Sequence, residues 1–272
     1  MNGPLAQIVA LTCYGNAVIR GSDTPKFFPI NSTCQFCDSI NFVKFKKPFI
    51  GQTKEVEVAK TPDEWMASLR KRGAKGIRLV RQAQDDPGIS DRMSAGFVGG
   101  GGTWLMEVMK VDGSSEFWAT RWDVWNQDAP ERRIWRVTYG LLREARTQPY
   151  SGRKIADVKA DFQASLTSIR AFSAKESCGG FTNCFAGGLA ALEDPSADIG
   201  YHKDIAPAGQ LDNEAQSLLK ASMSAWVFGG MGSWNDMGFP GATQQEYESV
   251  SESLFCVLNE AIEVAASSTA PN

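Results

Sequence analysis

The sequence predicts an α+β fold, in which a mostly antiparallel sheet from residues 1–147 packs against about three main helices from residues 153–268. In the first half, apolar residues alternate with a period of about two, as in half-buried strands. In the second half they recur every three or four residues, as in amphipathic helices. With 43% hydrophobic residues and eight Trp, the chain can build a substantial core, and we predict a single domain over residues 1–272.

Charge and composition argue against several classes of protein. The formal net charge is −3, and the basic residues are spread along the chain rather than grouped as in nucleic-acid-binding proteins. No stretch approaches the ~18 consecutive apolar residues of a membrane span, and the first residues lack the pattern of a signal peptide. We therefore expect a soluble cytoplasmic protein without a membrane partner. In that compartment the six Cys are expected to be reduced.

The first strands are predicted from β-branched and aromatic residues. The segment 6–20 is rich in Ile, Val, Thr and Tyr, and Gly15-Asn16 is a candidate hairpin turn between two short strands. Further strands are predicted at residues 40–46 and 55–59.

The clearest helix start is Thr61-Pro62-Asp63-Glu64. Thr61 can cap the helix, Pro62 suits its first position and Glu64 completes a capping box. Gly73 can end this helix, and a strand is predicted to follow at residues 77–80.

A meander over residues 103–139 is the strongest β signal. Period-two alternation places four aromatic side chains on one face, namely Trp104, Trp118, Trp122 and Trp135. We expect this Trp-rich face to be the core face under the helices, although such aromatics can also form a platform for a sugar or a planar ligand. The opposite face carries Glu107, Arg121, Asp123 and Arg136, so it is expected to be solvated or to line a shallow cleft.

Three helices are predicted in the second half, over residues 155–172, 212–226 and 243–265. Asp212 is a plausible cap for the second, and Gly229-Gly230 would stop it. The third would open with a capping box at Thr243-Gln244-Gln245-Glu246.

Four cysteines are the candidate metal ligands. Cys34 and Cys37 have the spacing of a zinc knuckle, and Cys178 with Cys184 is the other close pair. Five residues separate the second pair, which is wider than usual, so structural zinc remains an alternative to ordinary buried thiols. A redox role would require the first pair at a helix start, whereas the following residues are predicted to form a strand. No cofactor is therefore firmly predicted.

His202 is the only histidine, which excludes any site that needs two histidine ligands. One Ser–His or Cys–His arrangement remains possible, with His202 as the base, and Cys178 or Cys184 is a candidate nucleophile. A surface histidine is the simpler interpretation.

Two glycine-rich stretches lie at Gly99–Gly102 and Gly229–Gly232. Neither precedes a helix in the manner of a phosphate-binding loop, so we interpret them as a strand entry and a helix stop. The second is followed by polar and aromatic residues typical of recognition loops. This Gly-rich loop supplies candidate binding residues: Gly230, Gly232, Ser233, Trp234, Asn235 and Asp236.

A polar segment over residues 85–96 supplies Asp91 and Arg92, which together with Arg121 and Asp123 complete the candidate set. Carboxylates in a cleft can act as acid and base or hold a divalent ion. A surface loop with a local contact between Asp91 and Arg92 is the simpler interpretation.

Two functions stay open from the sequence. We favour a non-enzymatic binding or assembly protein, whose exposed loops contact a protein partner or another copy of the chain, because no complete catalytic set is visible. The alternative is an enzyme or small-molecule-binding protein with a polar cleft between the sheet and the helices. Structural zinc would be compatible with either.

Overall fold

The computed structural model describes residues 1–46, 54–84, 88–97, 100–150 and 152–271. This part of the chain has the predicted α+β class. The strands are β1 (Cys37–Lys46), β2 (Lys54–Ala59), β3 (Ala74–Gln82), β4 (Thr103–Lys110), β5 (Ser114–Val124) and β6 (Trp135–Arg146). The helices are α1 (Gly3–Arg20), α2 (Pro62–Lys71), α3 (Asp91–Ser94), α4 (Ile155–Lys175), α5 (Gly180–Glu193), α6 (Asn213–Ser224) and α7 (Ala242–Ser267).

The strands form one sheet in the order β2-β1-β6-β5-β4-β3. The sheet is mixed, which corrects the mostly antiparallel sheet that we predicted. Strands β1 and β6 run parallel, with Ile40 opposite Val137, and the other neighbours run antiparallel. The parallel pair arises because α2 carries the chain from β2 at one edge to β3 at the other. The meander from β3 to β6 then returns and ends beside β1.

Helix α1 replaces the strands predicted over residues 6–20. The Oδ1 atom of Asn2 accepts a hydrogen bond from Leu5 N at 3.0 Å and caps the helix. Gly21 ends it in a left-handed conformation with φ 83°. Residues 5–17 are all buried. Apolar side chains therefore surround the helix on every side, and the sequence lacks the period of 3.6 residues that marks an amphipathic helix.

Gly15 lies at a close contact between α1 and β3 rather than in the predicted hairpin turn. A Cβ atom at this position would lie 2.4 Å from Ile77 Cδ1. The missing side chain therefore lets α1 approach β3 closely.

Helix α2 begins as predicted. Thr61 Oγ1 accepts from Glu64 N at 3.2 Å, and Glu64 Oε2 accepts from Lys60 N at 2.9 Å. This is a variant of the capping box, because Glu64 accepts from the N–H group of Lys60 rather than from that of the cap residue Thr61. On its buried face, Trp65 stacks on Phe42 with ring centroids 4.5 Å apart.

The second half contains the three predicted helices as α4, α6 and α7, and α5 in addition. Asp212 caps α6, accepting from Ala215 N at 2.8 Å. That helix ends at Ser224, before the predicted stop at Gly229. Helix α7 begins after Gly241, which has φ 58°, and the side chain of Gln244 instead accepts from Phe239 N. The capping box predicted from Thr243 is therefore not formed.

The core sits between one face of the sheet and helices α1, α2 and α7, and α4, α5 and α6 pack against α7 or each other. Trp118 of the predicted Trp-rich face is fully buried there, so that face is the core face as expected. The predicted single domain is compatible with this packing and remains a prediction. None of the helices in the described part of the chain combines the length and apolar composition that a membrane span requires.

Candidate aromatic cleft

A cleft of about 840 Å³ opens where the helices stop covering the Trp-rich face. Its walls are the first residues of α1, the segment 32–37, the loop before β4, the ends of β4, β5 and β6, and three residues from the helical half. Seven of the lining residues are Phe or Trp: Phe36, Phe97, Trp104, Trp122, Trp135, Trp226 and Phe255. Three of the four Trp residues of the predicted face thus line an open cleft.

Trp122 has a distinctive position in this cleft. Its ring packs edge-on against Trp135, with centroids 5.9 Å apart. Its Nε1 atom is buried and meets no hydrogen-bond acceptor among the described residues. Trp65 Nε1 is unpaired in the same way, whereas the indole nitrogens of Trp118, Trp125 and Trp234 donate to the protein. Because protein atoms shield Trp122 Nε1 from solvent, Trp122 presents its ring rather than its N–H group to the cleft.

The cleft carries little net charge. Arg121 is the one Lys, Arg, Asp or Glu side chain among the described lining residues, and it forms ion pairs with Asp123 at 2.8 Å and Glu55 at 3.2 Å. The N-terminus of α1 adds few free donors, because Asn2 accepts from Leu5 N and Pro4 has no N–H group. The cleft therefore favours an uncharged ligand.

A smaller cavity of about 500 Å³ adjoins the cleft. It is lined by Ser32, Gln35 and residues 200–204, and it shares Ser32, Gln35 and His202 with the larger cleft. These shared residues make the junction polar, in contrast to the aromatic walls.

His202 is anchored at this junction. Its Nδ1 atom lies 3.0 Å from Ser32 Oγ, and Asp204 accepts hydrogen bonds from Ser32 Oγ and from Ser32 N, the latter at 2.7 Å. Burial lowers the pKa of His202 below its usual 6.5, although the nearby Asp204 carboxylate opposes this shift. The ring is consequently neutral at pH 7.

The side chain that contacts His202 is Ser32, one of the two residue types left open from the sequence, and neither Cys178 nor Cys184. Ser32 and His202 are 170 positions apart, and no motif around Ser32 marks it. The only local feature that points to a fixed backbone at Ser32 is its neighbour Asn31, which caps the short helical turn at residues 32–34.

Asp91 and Arg92 of the predicted site form structural contacts. Asp91 forms an ion pair with Arg81. Arg92 is buried, pairs with Glu252 at 3.1 Å and contacts Asn235 Oδ1 at 3.3 Å. The structure therefore brings Arg92 next to the predicted Gly-rich loop, as a bridge between α3, that loop and α7.

The Gly-rich loop is anchored by its own aromatic residue. Trp234 is fully buried, and its Nε1 donates to Ser251 Oγ at 2.7 Å. Asp236 accepts from Gly232 N within the loop, and Ser233 donates to Gly229 O at 3.0 Å. Gly230 and Gly232 are left on the surface, so the predicted binding role of this loop stays a prediction.

Of the other predicted binding residues, Arg121 lines the cleft and its ion-pair partner Asp123 is exposed beside it. The first glycine stretch also contributes, because Gly100, Gly101 and Gly102 line the cleft. A Cβ atom at Gly100 would lie 1.8 Å from Ser94 O, so only glycine permits this path of the chain.

The cysteines are separated into two places. Cys34 and Cys37 are buried together near α1, whereas Cys178 and Cys184 lie at the start of α5. Within the described residues, no group of three or more His, Cys, Asp or Glu side chains is arranged to hold a metal ion. Burial raises the pKa of Cys37 to about 11 and also raises that of Cys34, so neither thiol is a ready nucleophile.

Comparison with known proteins gives no relative: the chain matches no protein-family model, no curated protein and no solved structure.

Proposed function

We propose that this protein binds a small, uncharged, largely planar molecule in the aromatic cleft. The observation that carries the proposal is that four Trp residues, Trp104, Trp122, Trp135 and Trp226, line one open cleft. These aromatic walls would stack on a planar body.

The size and charge of the cleft support this class of ligand. A volume of about 840 Å³ lies within the ~300–1,000 Å³ range of small-molecule sites. The single charged lining residue, Arg121, is already paired, so a charged ligand would meet no free counter-ion among the described lining residues. The lining is more apolar than the polar cleft predicted from the sequence.

Ligand binding is tested by titrating naphthalene-sized aromatic compounds into the protein and following Trp fluorescence and heat of binding. We expect quenching in the wild type and about tenfold weaker binding in Trp122→Ala, which removes one aromatic wall of the cleft.

The matched control is Trp125→Ala. Trp125 directly follows β5 but is exposed, and its Nε1 donates to Arg133 O at 3.1 Å outside the cleft. Equal affinities for the wild type and Trp122→Ala would contradict stacking on Trp122, and no binding of any compound would contradict the proposed function.

A second function, binding to a protein partner through exposed loops, is supported by an apolar patch. Ile89, Met93 and Phe97 are 46–71% exposed, and Met231 is fully exposed. Their loops touch, because a Cβ atom at Gly96 would lie 2.6 Å from Gly229 O. Sedimentation of the wild type beside Met231→Lys tests self-association through this patch: a monomer in both would argue against it.

A further inference from the structure

The hydrogen bonds of Ser32 determine which nitrogen of His202 carries the proton. Ser32 has one hydroxyl proton, and it donates this proton to Asp204 Oδ1. The carboxylate accepts a second hydrogen bond from Ser32 N at 2.7 Å, so both of its contacts with Ser32 require it to be the acceptor. Toward His202, 3.0 Å away, Ser32 Oγ can only accept.

His202 must therefore donate from Nδ1. A neutral imidazole has one N–H group and one nitrogen with a free lone pair. With the proton on Nδ1, the lone pair is on Nε2. Asp204 thus positions the ring through Ser32 and leaves a hydrogen-bond acceptor at the junction of the two cavities.

The junction consequently offers a hydrogen-bond acceptor, His202 Nε2, beside the aromatic walls of the cleft. We infer that the ligand of the cleft is a planar, uncharged molecule that carries a hydroxyl or N–H group, in the manner of a phenol or an N–H heteroaromatic, and that His202 Nε2 accepts its hydrogen bond. This inference rests on the proposed function and specifies its ligand class.

The tautomer is tested directly by nitrogen NMR. His202 is the only histidine, so uniformly ¹⁵N-labelled protein gives one assigned pair of ring nitrogens. At pH 7.5 we expect a protonated Nδ1 and an unprotonated Nε2. The reverse assignment would overturn the inference.

Ligand preference is tested with 2-naphthol and 2-methoxynaphthalene, measured by calorimetry at pH 7.5. The two compounds share a ring system, but only the first has a proton to donate. We expect 2-naphthol to bind about tenfold more tightly, the effect of one net hydrogen bond. If neither compound binds, the proposed function fails. If both bind with equal affinity, only the inference about His202 fails.

Ser32→Ala tests the positioning role of the serine. The variant removes the acceptor that fixes Nδ1–H, so we expect the ratio of the two affinities to fall toward unity, whatever the change in overall affinity. Ser196→Ala is the matched control, because Ser196 also donates from N and Oγ to a neighbouring carboxylate, that of Asp194, in an exposed turn. An unchanged preference in Ser32→Ala would overturn the inference.

Lower pH provides a test that needs no variant. A protonated ring has no free lone pair, so the preference should be lost as the pH falls below 6.5. The groups that act on the charge of this ring are the carboxylate of Asp204 and the amino group of Met1, and Tyr201 packs edge-on against it at 5.3 Å. Lys203 is adjacent in sequence but is paired with Asp198 at 2.7 Å. Ring protonation is followed by NMR. If the preference for 2-naphthol stays constant from pH 7.5 to the pH at which the ring is fully protonated, the inference is contradicted.

Discussion

At the scale of single residues, the sheet contains a buried carboxylate that is held in its charged form. The side chain of Glu116 is 1% exposed and lies 2.7 Å from Lys110 Nζ and 3.5 Å from Lys44 Nζ, with Arg72 in direct contact. Burial would raise its pKa, but the hydrogen bond from Lys110 and the three cations outweigh this effect and lower the pKa. Glu116 also accepts from Trp118 Nε1 at 3.1 Å. One acid thus connects β1, β4, β5 and the end of α2.

We expect Glu116→Gln to lower the free energy of unfolding by about 2 kcal/mol at pH 7, somewhat less than for a fully buried pair because the cations are partly exposed. Because the folded-state pKa lies below 4.5, the contribution is present above pH 4.5 and is lost as the pH falls through the lowered pKa. Urea unfolding of both proteins from pH 7 to pH 3 should show the difference shrinking.

Glu144→Gln is the control for this prediction, because Glu144 contacts the same Lys44 but is 57% exposed. We expect a change near zero in that variant. If Glu144→Gln lowered the free energy of unfolding as much as Glu116→Gln, burial would not be the cause of the effect.

At the scale of elements, side chains of two helices pair with backbone N–H and C=O groups on the open edge of β3. Asn16 of α1 donates to Ile77 O and accepts from Ile77 N, at 2.8 and 2.7 Å. Ser267 of α7 accepts from Leu79 N at 3.0 Å and donates to Leu79 O at 3.1 Å. Two side chains thus mimic a neighbouring strand, which protects an edge that would otherwise be open to pairing.

We expect Ser267→Ala to destabilise the protein by about 2 kcal/mol, because it leaves a buried N–H and a buried C=O of Leu79 unpaired. Hydrogen exchange should show faster exchange at the Leu79 amide. The neighbouring variant Ser268→Ala is the control, since Ser268 Oγ donates only to Ala265 O of its own helix turn. Equal effects of the two variants would contradict the edge-pairing role of Ser267.

The same scale shows what the sequence could and could not predict. Helix α2 and the meander were predictable because their signals are local: a cap at Thr61 and period-two alternation from Thr103 onward. Helix α1 was missed because a helix buried on all sides has no polar face, and its β-branched residues resemble a strand. The parallel pairing of β1 with β6 was not predictable, because it depends on a path of about 90 residues between them.

In the candidate site, too, the parts with a local sequence pattern were predictable and the parts formed by long-range contacts were not. The Trp-rich face was visible as a period-two pattern, and it does contain Trp122 and Trp135 of the cleft. The polar junction was not visible, because Ser32 and His202 come from segments without a shared motif and meet only through tertiary packing. Arg92 and Trp234 show the converse, since residue types typical of recognition loops serve here to hold loops together.

At the scale of the whole molecule, the β-rich and helical halves share one core. The buried apolar residues form a continuous cluster that contains Trp118 and Tyr139 from the sheet and Leu166 and Phe185 from the helices. Helix α7 joins them, because it packs against both β3 and α4. A continuous core of this kind couples the unfolding of its parts.

We therefore expect one cooperative unfolding transition for the whole chain. Thermal curves from far-ultraviolet circular dichroism, dominated by the helices, should coincide with curves from Trp fluorescence, which reports mainly on the sheet and the cleft. The calorimetric enthalpy should equal the van't Hoff enthalpy. Two separated transitions would instead mean that the sheet and the helices around α4 are independent domains. The cleft depends on this result, because its lining comes from both halves: Trp104, Trp122 and Trp135 of the sheet, and Trp226 after α6 with Phe255 of α7. If the halves unfold together, a ligand in the cleft should raise the single midpoint temperature by an amount that grows with the logarithm of 1 + [L]/Kd, where [L] is the free ligand concentration. If the halves separate, the ligand should lose its site at the first transition.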